Sequence, residues 1–189
     1  MPEIYVIGGC NGSGKTTFAL NLFPTLANID FINADIIAAR LNPDNPDSVA
    51  IPASRIMLRN LKNLARQKRD FAFETTLAAR SFAPFLRRCQ TEGYRVNLIY
   101  VWLNSVELAI ARVALRVASG GHDIPEDVVR RRYHRGRKNF LELYSSLADC
   151  WQVFDNSFDN QLVAYSYNKN QTIAIIKNDV WEQINNESN

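Results

Sequence analysis

The stretch Gly8-Gly9-Cys10-Asn11-Gly12-Ser13-Gly14-Lys15-Thr16 decides the fold. It contains the pattern G-x-x-x-x-G-K-[ST], with Gly9, Gly14, Lys15 and Thr16 in the required places. Glycines let successive backbone N–H groups curl around a polyphosphate, so Gly9, Asn11, Gly12, Ser13, Gly14, Lys15, Thr16 and Thr17 are the expected nucleotide-binding residues. Lys15 supplies a mobile positive charge, and Thr16 offers its hydroxyl to magnesium. Upstream, Ile4 to Ile7 is a short apolar, β-branched run, and downstream Thr17 to Phe23 reads as a helix that Pro24 ends. A chance glycine turn has no reason to sit between a strand and a helix. Here the helix N-terminus also faces the anion.

The same alternation continues along the chain. Asp30 to Asn33 reads as a second strand running into Ala34-Asp35 and a helix over Ile36 to Leu41. Asn42 to Asp47 has turn composition, and Ser48 to Lys68 shows helical spacing of Ile51, Met57, Leu58, Leu61 and Leu64. Phe71 to Phe73 is a buried strand that ends at Glu74-Thr75-Thr76, and Ser81 to Glu92 is an amphipathic helix closed by Gly93. Arg95 to Leu103 is apolar nearly throughout, as expected of a central parallel strand covered on both faces. Helices are expected from Ser105 to Ala118 and from Pro125 to Ala148, the second with a bend near Gly136. Trp151 to Phe154 is a strand, Gln161 to Tyr167 and Thr172 to Lys177 form a candidate hairpin, and Asp179 to Ile184 is a last helix before a polar tail. The expected fold is α/β: one domain over residues 1–189, with a mostly parallel sheet of about five strands between two helical layers and a C-terminal hairpin appended. Ligands bind at the carboxyl ends of such strands, where Gly8 to Thr16, Asn33 to Asp35 and Glu74 to Thr76 all fall.

A chain of 189 residues, 47% hydrophobic and 22% charged, builds one well-buried core and is short for two domains. No apolar run reaches membrane-spanning length, and Cys10, Cys89 and Cys150 contain no C-x-x-C pair, which predicts a soluble, cytoplasmic protein with reduced thiols and no membrane partner. A net charge of +3 disfavours nucleic acid as a partner, although charge distribution matters more than the total.

Phosphoryl transfer needs magnesium, positive charge on the transferring oxygens and a base for the acceptor hydroxyl. Asp35, at a strand-to-helix corner, is the candidate base; its competing role is to cap the helix that follows. Glu74 can orient magnesium or grip an acceptor hydroxyl, and it competes with a helix-capping role in the same way. Val101-Trp102-Leu103 runs into Asn104 rather than Asp, so magnesium falls to Thr16 with Glu74 or Asp35. Between about 105 and 140 lie Arg112, Arg116, Arg130, Arg131, Arg132, Arg135, Arg137 and Lys138, a basic helical lid suited to clamp phosphates. Neighbouring helical positions point about 100° apart, so at most two of Arg130 to Arg132 can reach one site. His122 and His134 lack partners at metal-ligand spacing and are not expected to bind metal.

G-G-C-N-G-S-G-K-T-T, the N-A-D of Asn33 to Asp35, F-E-T-T-L from Phe73, and G-G-H-D-I-P-E followed by R-R-R-Y resemble the compact branch of the zeta toxin family over roughly Ile4 to Ser157. The resemblance implies an adenylate-kinase-like P-loop fold, with ATP and magnesium as donor pair and a small hydroxyl-bearing acceptor, a nucleotide sugar in the long members. It also implies a small helical antitoxin as partner. On the same likeness Lys15 is the phosphate-loop lysine and Asp35 the base. Glu74 and Thr76 match the acceptor-binding Glu-Gly-Thr-x-Arg element, and Arg112, Arg116, Arg130 and Arg132 include the phosphate clamps. Thr75 stands at that element's glycine and Ala78 at its arginine, with Arg80 two residues on as a substitute acceptor ligand, so the acceptor pocket is expected to differ.

Three rival readings differ in what they require. A GTPase needs Asp where Asn168-Lys169-Asn170-Gln171 has Gln171. A kinase of nucleic-acid ends needs a basic groove with exposed aromatics. A non-catalytic nucleotide-binding regulator needs the loop alone.

Overall fold

The computed structural model describes residues 1–22, 29–121, 123–169 and 173–186. The predicted helix end at Phe23 and Pro24, the residue His122, the hairpin residues Asn170, Gln171 and Thr172, and the last tail residues lie outside them. The apolar run around Ile4 to Ile7 forms β1 (Glu3–Gly8), which pairs in parallel with β3 (Phe71–Thr75) on one side and β4 (Arg95–Trp102) on the other. β2 (Asp30–Ile32) pairs with β3, and β5 (Cys150–Asp155) pairs with β4, also in parallel. These are the five expected parallel strands. β6 (Gln161–Ser166) and the two-residue β7 (Ala174–Ile175) continue the same sheet antiparallel, giving seven strands in the order β2-β3-β1-β4-β5-β6-β7. The hairpin thus extends the sheet rather than standing apart from it.

Between the strands run α1 (Lys15–Leu22), α2 (Ala34–Leu41), a 3-10 turn (Pro46–Val49), α3 (Ala50–Arg66), α4 (Phe82–Thr91), α5 (Val106–Ala118) and α6 (Glu126–Asn139). A π-helical turn (Phe140–Tyr144), a short α7 (Ser145–Leu147) and the C-terminal α8 (Asn178–Asn186) complete the chain. Alternating strands and helices force parallel pairing, because each helix carries the chain back to start the next strand on the same side. The main core packs Phe71, Phe73, Leu98, Tyr100 and Trp102 against Phe140, Tyr144 and Trp151. No helix among the described residues is long and apolar enough to cross a membrane.

Two departures bear on the site. α6 runs through Gly136 without a break in its helical turns, and the irregularity comes at the π-turn that follows, where Tyr100 and Phe140 stack with ring centroids 4.4 Å apart. Gly136 has another purpose, since a Cβ there would lie 2.4 Å from the carbonyl oxygen of Thr76. The backbone after β3 therefore rests directly on α6. Because that neighbour is main chain and not a flexible side chain, Gly136→Ala is expected to destabilise the fold by about 1–3 kcal/mol, read as a lowered denaturant midpoint at constant slope. The second departure concerns the lid. α5 and α6 share a small core of Cys10, Leu103, Val106, Ala109, Val113, Ile124, Val129 and Tyr133, with the Tyr133 hydroxyl donating to the Leu103 carbonyl at 2.7 Å. The helices expected to form a lid are thereby packed against Cys10 of the phosphate loop.

Candidate active site

Four strand ends build the site. β1 ends at Gly8, in register with Thr75 of β3 and Tyr100 of β4, and the chain then enters the loop of residues 9–14. Gly12 and Gly14 hold left-handed φ angles of 77° and 87°, which a side chain would strain. The thiol of Cys10 faces the small core and burial pushes its pKa up to about 11, so it fills space and stays protonated. Ser13 is fully buried, with its N–H donating to the Cys10 carbonyl at 3.3 Å, so it shapes the loop from within. Thr16 and Thr17 are exposed at the start of α1.

Lys15 lies back across the loop, its Nζ 2.8 Å from the Cys10 carbonyl. Burial lowers its pKa, while the charges of Glu74, Cys10 and Asp35 act to raise it and Arg116 to lower it. Glu74, near the end of β3, shows the complementary shift. Burial raises its pKa, and Lys15 and the hydrogen bond from Thr16 oppose that, the Thr16 hydroxyl lying 3.1 Å from one carboxylate oxygen. Its other oxygen, Oε1, is buried and makes no full hydrogen bond among the described residues, while the Asn33 side chain also acts to lower the pKa. A buried carboxylate oxygen beside a threonine hydroxyl is a donor set of the hard-oxygen kind that magnesium or its water takes up. Thr16 and Glu74 therefore fit the ion. No cluster of three or more His, Cys, Asp or Glu among the described residues offers a metal cage elsewhere.

The pH consequence has a definite sign. Glu74 binds its proton more tightly folded than unfolded, so the unliganded fold loses stability as pH rises from the ordinary carboxylate range through the raised folded value. Glu74→Gln should flatten that segment of the curve of unfolding temperature against pH in the absence of nucleotide; an unaltered curve would show that Glu74 titrates normally.

Asp35 is not the helix cap. Asn33 caps α2, its side-chain oxygen accepting from the N–H groups of Asp35 at 2.7 Å and Ile36 at 3.3 Å. This leaves the Asp35 carboxylate exposed in the first turn, with no hydrogen-bond partner among the described residues. Its charge acts on Lys15, Glu74 and Arg132. Of the three adjacent lid arginines only Arg132 reaches the loop, donating to the Asn11 side chain at 3.3 Å, and burial lowers its pKa against the pull of Asp35. Arg130 pairs instead with Glu107 and Glu126, and Arg131 with Asp127, all on the surface.

Other predicted residues are placed differently. Arg112 donates from its two terminal nitrogens to the carbonyls of Asn156 and Ser157, at 2.8 and 2.9 Å. Asn156 in turn donates to the Ser13 carbonyl at 2.8 Å, so Arg112 braces the turn after β5 against the phosphate loop. Arg116 is exposed on the same helix. Arg80 points to α6 and the π-turn, bonding Asn139 at 2.9 Å and Glu142 at 3.0 Å. It thereby helps hold the loop after β3 and is engaged away from the cleft. The Thr76 hydroxyl accepts from the Ala78 N–H at 3.4 Å, a local turn contact. The same loop is pinned by Asn139 donating to the Leu77 carbonyl at 2.8 Å and by Tyr144 donating to the Ala79 carbonyl at 2.6 Å. Asn33, Asn139 and Asn156 are the positions that sequence reasoning did not single out as site residues. Only Asn33 carried a local signal, as a residue of cap type before a helix.

The Zeta toxin family model matches residues 1–180. The chain belongs to the Zeta toxin family. An uncharacterized protein of Haemophilus influenzae is 38% identical to this Zeta toxin family chain over 125 residues, which is 66% of this chain and 88% of the relative. Among solved structures, the AvrRxo1-ORF1:AvrRxo1-ORF2 complex with sulphate ions superposes with a TM-score of 0.78 at 17% identity, covering 97% of this chain. This chain spans 63% of the length of the one it matches there, and a form of that complex with ATP gives a TM-score of 0.77 at 17% identity over the same shares of both chains. The PezAT chromosomal toxin-antitoxin system of Streptococcus pneumoniae gives a TM-score of 0.67 at 19% identity, covering 100% of this chain and 80% of the other. At these identities the structural likeness is one of fold, a P-loop kinase fold.

Proposed function

We propose that the chain is an ATP- and magnesium-dependent phosphotransferase that moves the γ-phosphate of ATP to a hydroxyl of a small acceptor. One observation carries this reading: the phosphate loop, Asp35 and Glu74 follow the ends of the neighbouring parallel strands β1, β2 and β3, with Glu74 bonded by Thr16 and the loop's Asn11 by Arg132. A nucleotide-binding switch has no need of an exposed carboxylate without a hydrogen-bond partner at the end of the strand beside β3. Membership in the Zeta toxin family, and the ATP form of the AvrRxo1-ORF1 complex, support ATP as donor.

The residues divide the work by their chemistry. Loop N–H groups and Lys15 take the β- and γ-phosphates, the lysine leaving the Cys10 carbonyl for a better partner. Thr16 and Glu74 would hold magnesium, which when bound neutralises charge on the phosphate oxygens. Asp35 accepts the proton of the acceptor hydroxyl as that oxygen bonds to the γ-phosphorus and the bond to the bridging oxygen breaks, releasing ADP. Arg132 and Arg116 supply positive charge to the transferring group, and Arg112 keeps the loop's flank in place. The turn of residues 75–79, fixed by Asn139, Tyr144 and Arg80, forms the floor of the acceptor side. A small antitoxin is the protein partner proposed on the likeness to the PezAT system.

Incubation with γ-labelled ATP and a cell metabolite extract tests the proposal. The expected result is label on one small hydroxyl compound; label released only as inorganic phosphate would overturn it. Competition with unlabelled GTP and ATP separates out the GTPase reading, for which strong preference for GTP is required.

A further inference from the structure

The outer face of α3 carries a row of cations that the proposed reaction does not use. Arg55, Arg59, Lys62 and Arg66 stand at i, i+4, i+7 and i+11, a spacing that gathers them within an arc of about 60° and spreads them over about 16 Å of helix. All four are exposed, and with Leu58 and Asn63 they line a groove of about 260 Å³. α3 contains no Asp or Glu. On α4 and α6, by contrast, cations pair one turn away: Arg88 with Glu92, Arg130 with Glu126, Arg131 with Asp127 and Lys138 with Glu142. Among the described residues no ion pair reaches the α3 row, whose one side-chain bond joins Arg66 to Asn63 at 3.5 Å. Like charges at helical neighbours repel, so an ordinary solvated face interleaves signs and this one does not. The whole chain has a net charge of only +3, less than this single face.

The composition of the groove selects the partner. Protein interfaces need an apolar, often aromatic centre, whereas here only the half-buried Leu58 is apolar. Insertion into a membrane needs an exposed apolar helix face, and that face of α3, with Ala53, Met57, Leu61 and Ala65, is buried in the core. Three of the four cations are arginine, whose fork fits phosphate oxygens, and about 16 Å of helix spans about five phosphates of one duplex strand. We propose that α3 docks a nucleic-acid phosphate backbone, without reading its bases. None of these four cations is among the residues placed at the phosphate-loop site.

Fluorescence anisotropy of labelled 20-nucleotide duplexes and single strands, titrated with the full chain between 50 and 200 mM salt, tests this. Four phosphate contacts predict a slope of log K against log salt of about −3 to −4. The combined variant Arg55→Gln, Arg59→Gln, Lys62→Gln, Arg66→Gln should lose at least about tenfold in affinity at 100 mM salt, with its circular dichroism and unfolding temperature retained, since glutamine is a good helix former. The single variant Arg59→Gln should reduce the slope by about one, which tests the surface even where the combined variant is unstable. Oligonucleotide binding that both variants leave unchanged, or no binding by the parent chain at 50 mM salt, overturns the proposal. Equal competition by polyglutamate or by phosphatidylserine vesicles also overturns it, in favour of an acidic protein or a membrane surface.

Discussion

Lys15→Met is expected to cut phosphoryl transfer by about 100- to 1,000-fold and to abolish the rise in unfolding temperature that ATP produces in the parent chain. The lysine is half-buried, and desolvation, the largest influence on it, lowers its pKa. A protein that keeps an ammonium group where it is poorly solvated gains from it only when an anion arrives. Ligand at a hundred times its dissociation constant stabilises a fold by about 2.7 kcal/mol, so loss of ATP binding reads directly as a lost thermal shift. Methionine keeps the apolar stem, and the hydrogen bond it removes, to the Cys10 carbonyl, leaves that oxygen beside the loop amides. The unliganded variant should therefore unfold within a few degrees of the parent. A full ATP-dependent shift in Lys15→Met would show that the loop does not bind nucleotide through this residue.

Asp35→Asn is expected to keep ATP binding and lose about a hundredfold or more in transfer. The fold offers no reason for a structural effect, because Asn33 caps α2 and Asp35 is exposed with no hydrogen-bond partner among the described residues. What the substitution removes structurally is one favourable charge in the first turn of a helix, about 0.3–1 kcal/mol. What it removes chemically is the group proposed to receive a proton. Stability and transfer should thus separate in this variant, and that separation marks a base rather than a scaffold residue.

The donor side was legible in the sequence because it is local. Nine consecutive residues state the phosphate loop, and the apolar run before it and the helix after it state its setting. The parallel strands were legible for the same reason, as short apolar runs separated by helical spacing. The geometry of helix rotation also foretold that few of Arg130 to Arg132 could reach the site, and one does. The proposed acceptor side was less legible because its contacts join distant segments. Arg80 reads as a substitute for a missing arginine, yet Asn139 and Glu142, 59 and 62 residues away, engage it. Arg112 reads as a phosphate clamp, yet the carbonyls it braces lie 44 and 45 residues on. Gly136 reads as a bend, and its reason is a backbone contact with Thr76 across the fold. The cation row of α3 escaped for another reason: a net charge sums over the surface, and spacing along one helix does not enter the sum.

The most direct test of the phosphotransferase account measures ATP binding and label transfer to the metabolite extract on the same preparations of the parent chain and Asp35→Asn. The account predicts equal ATP affinity with transfer reduced about a hundredfold or more in the variant. Transfer that survives unchanged would contradict it.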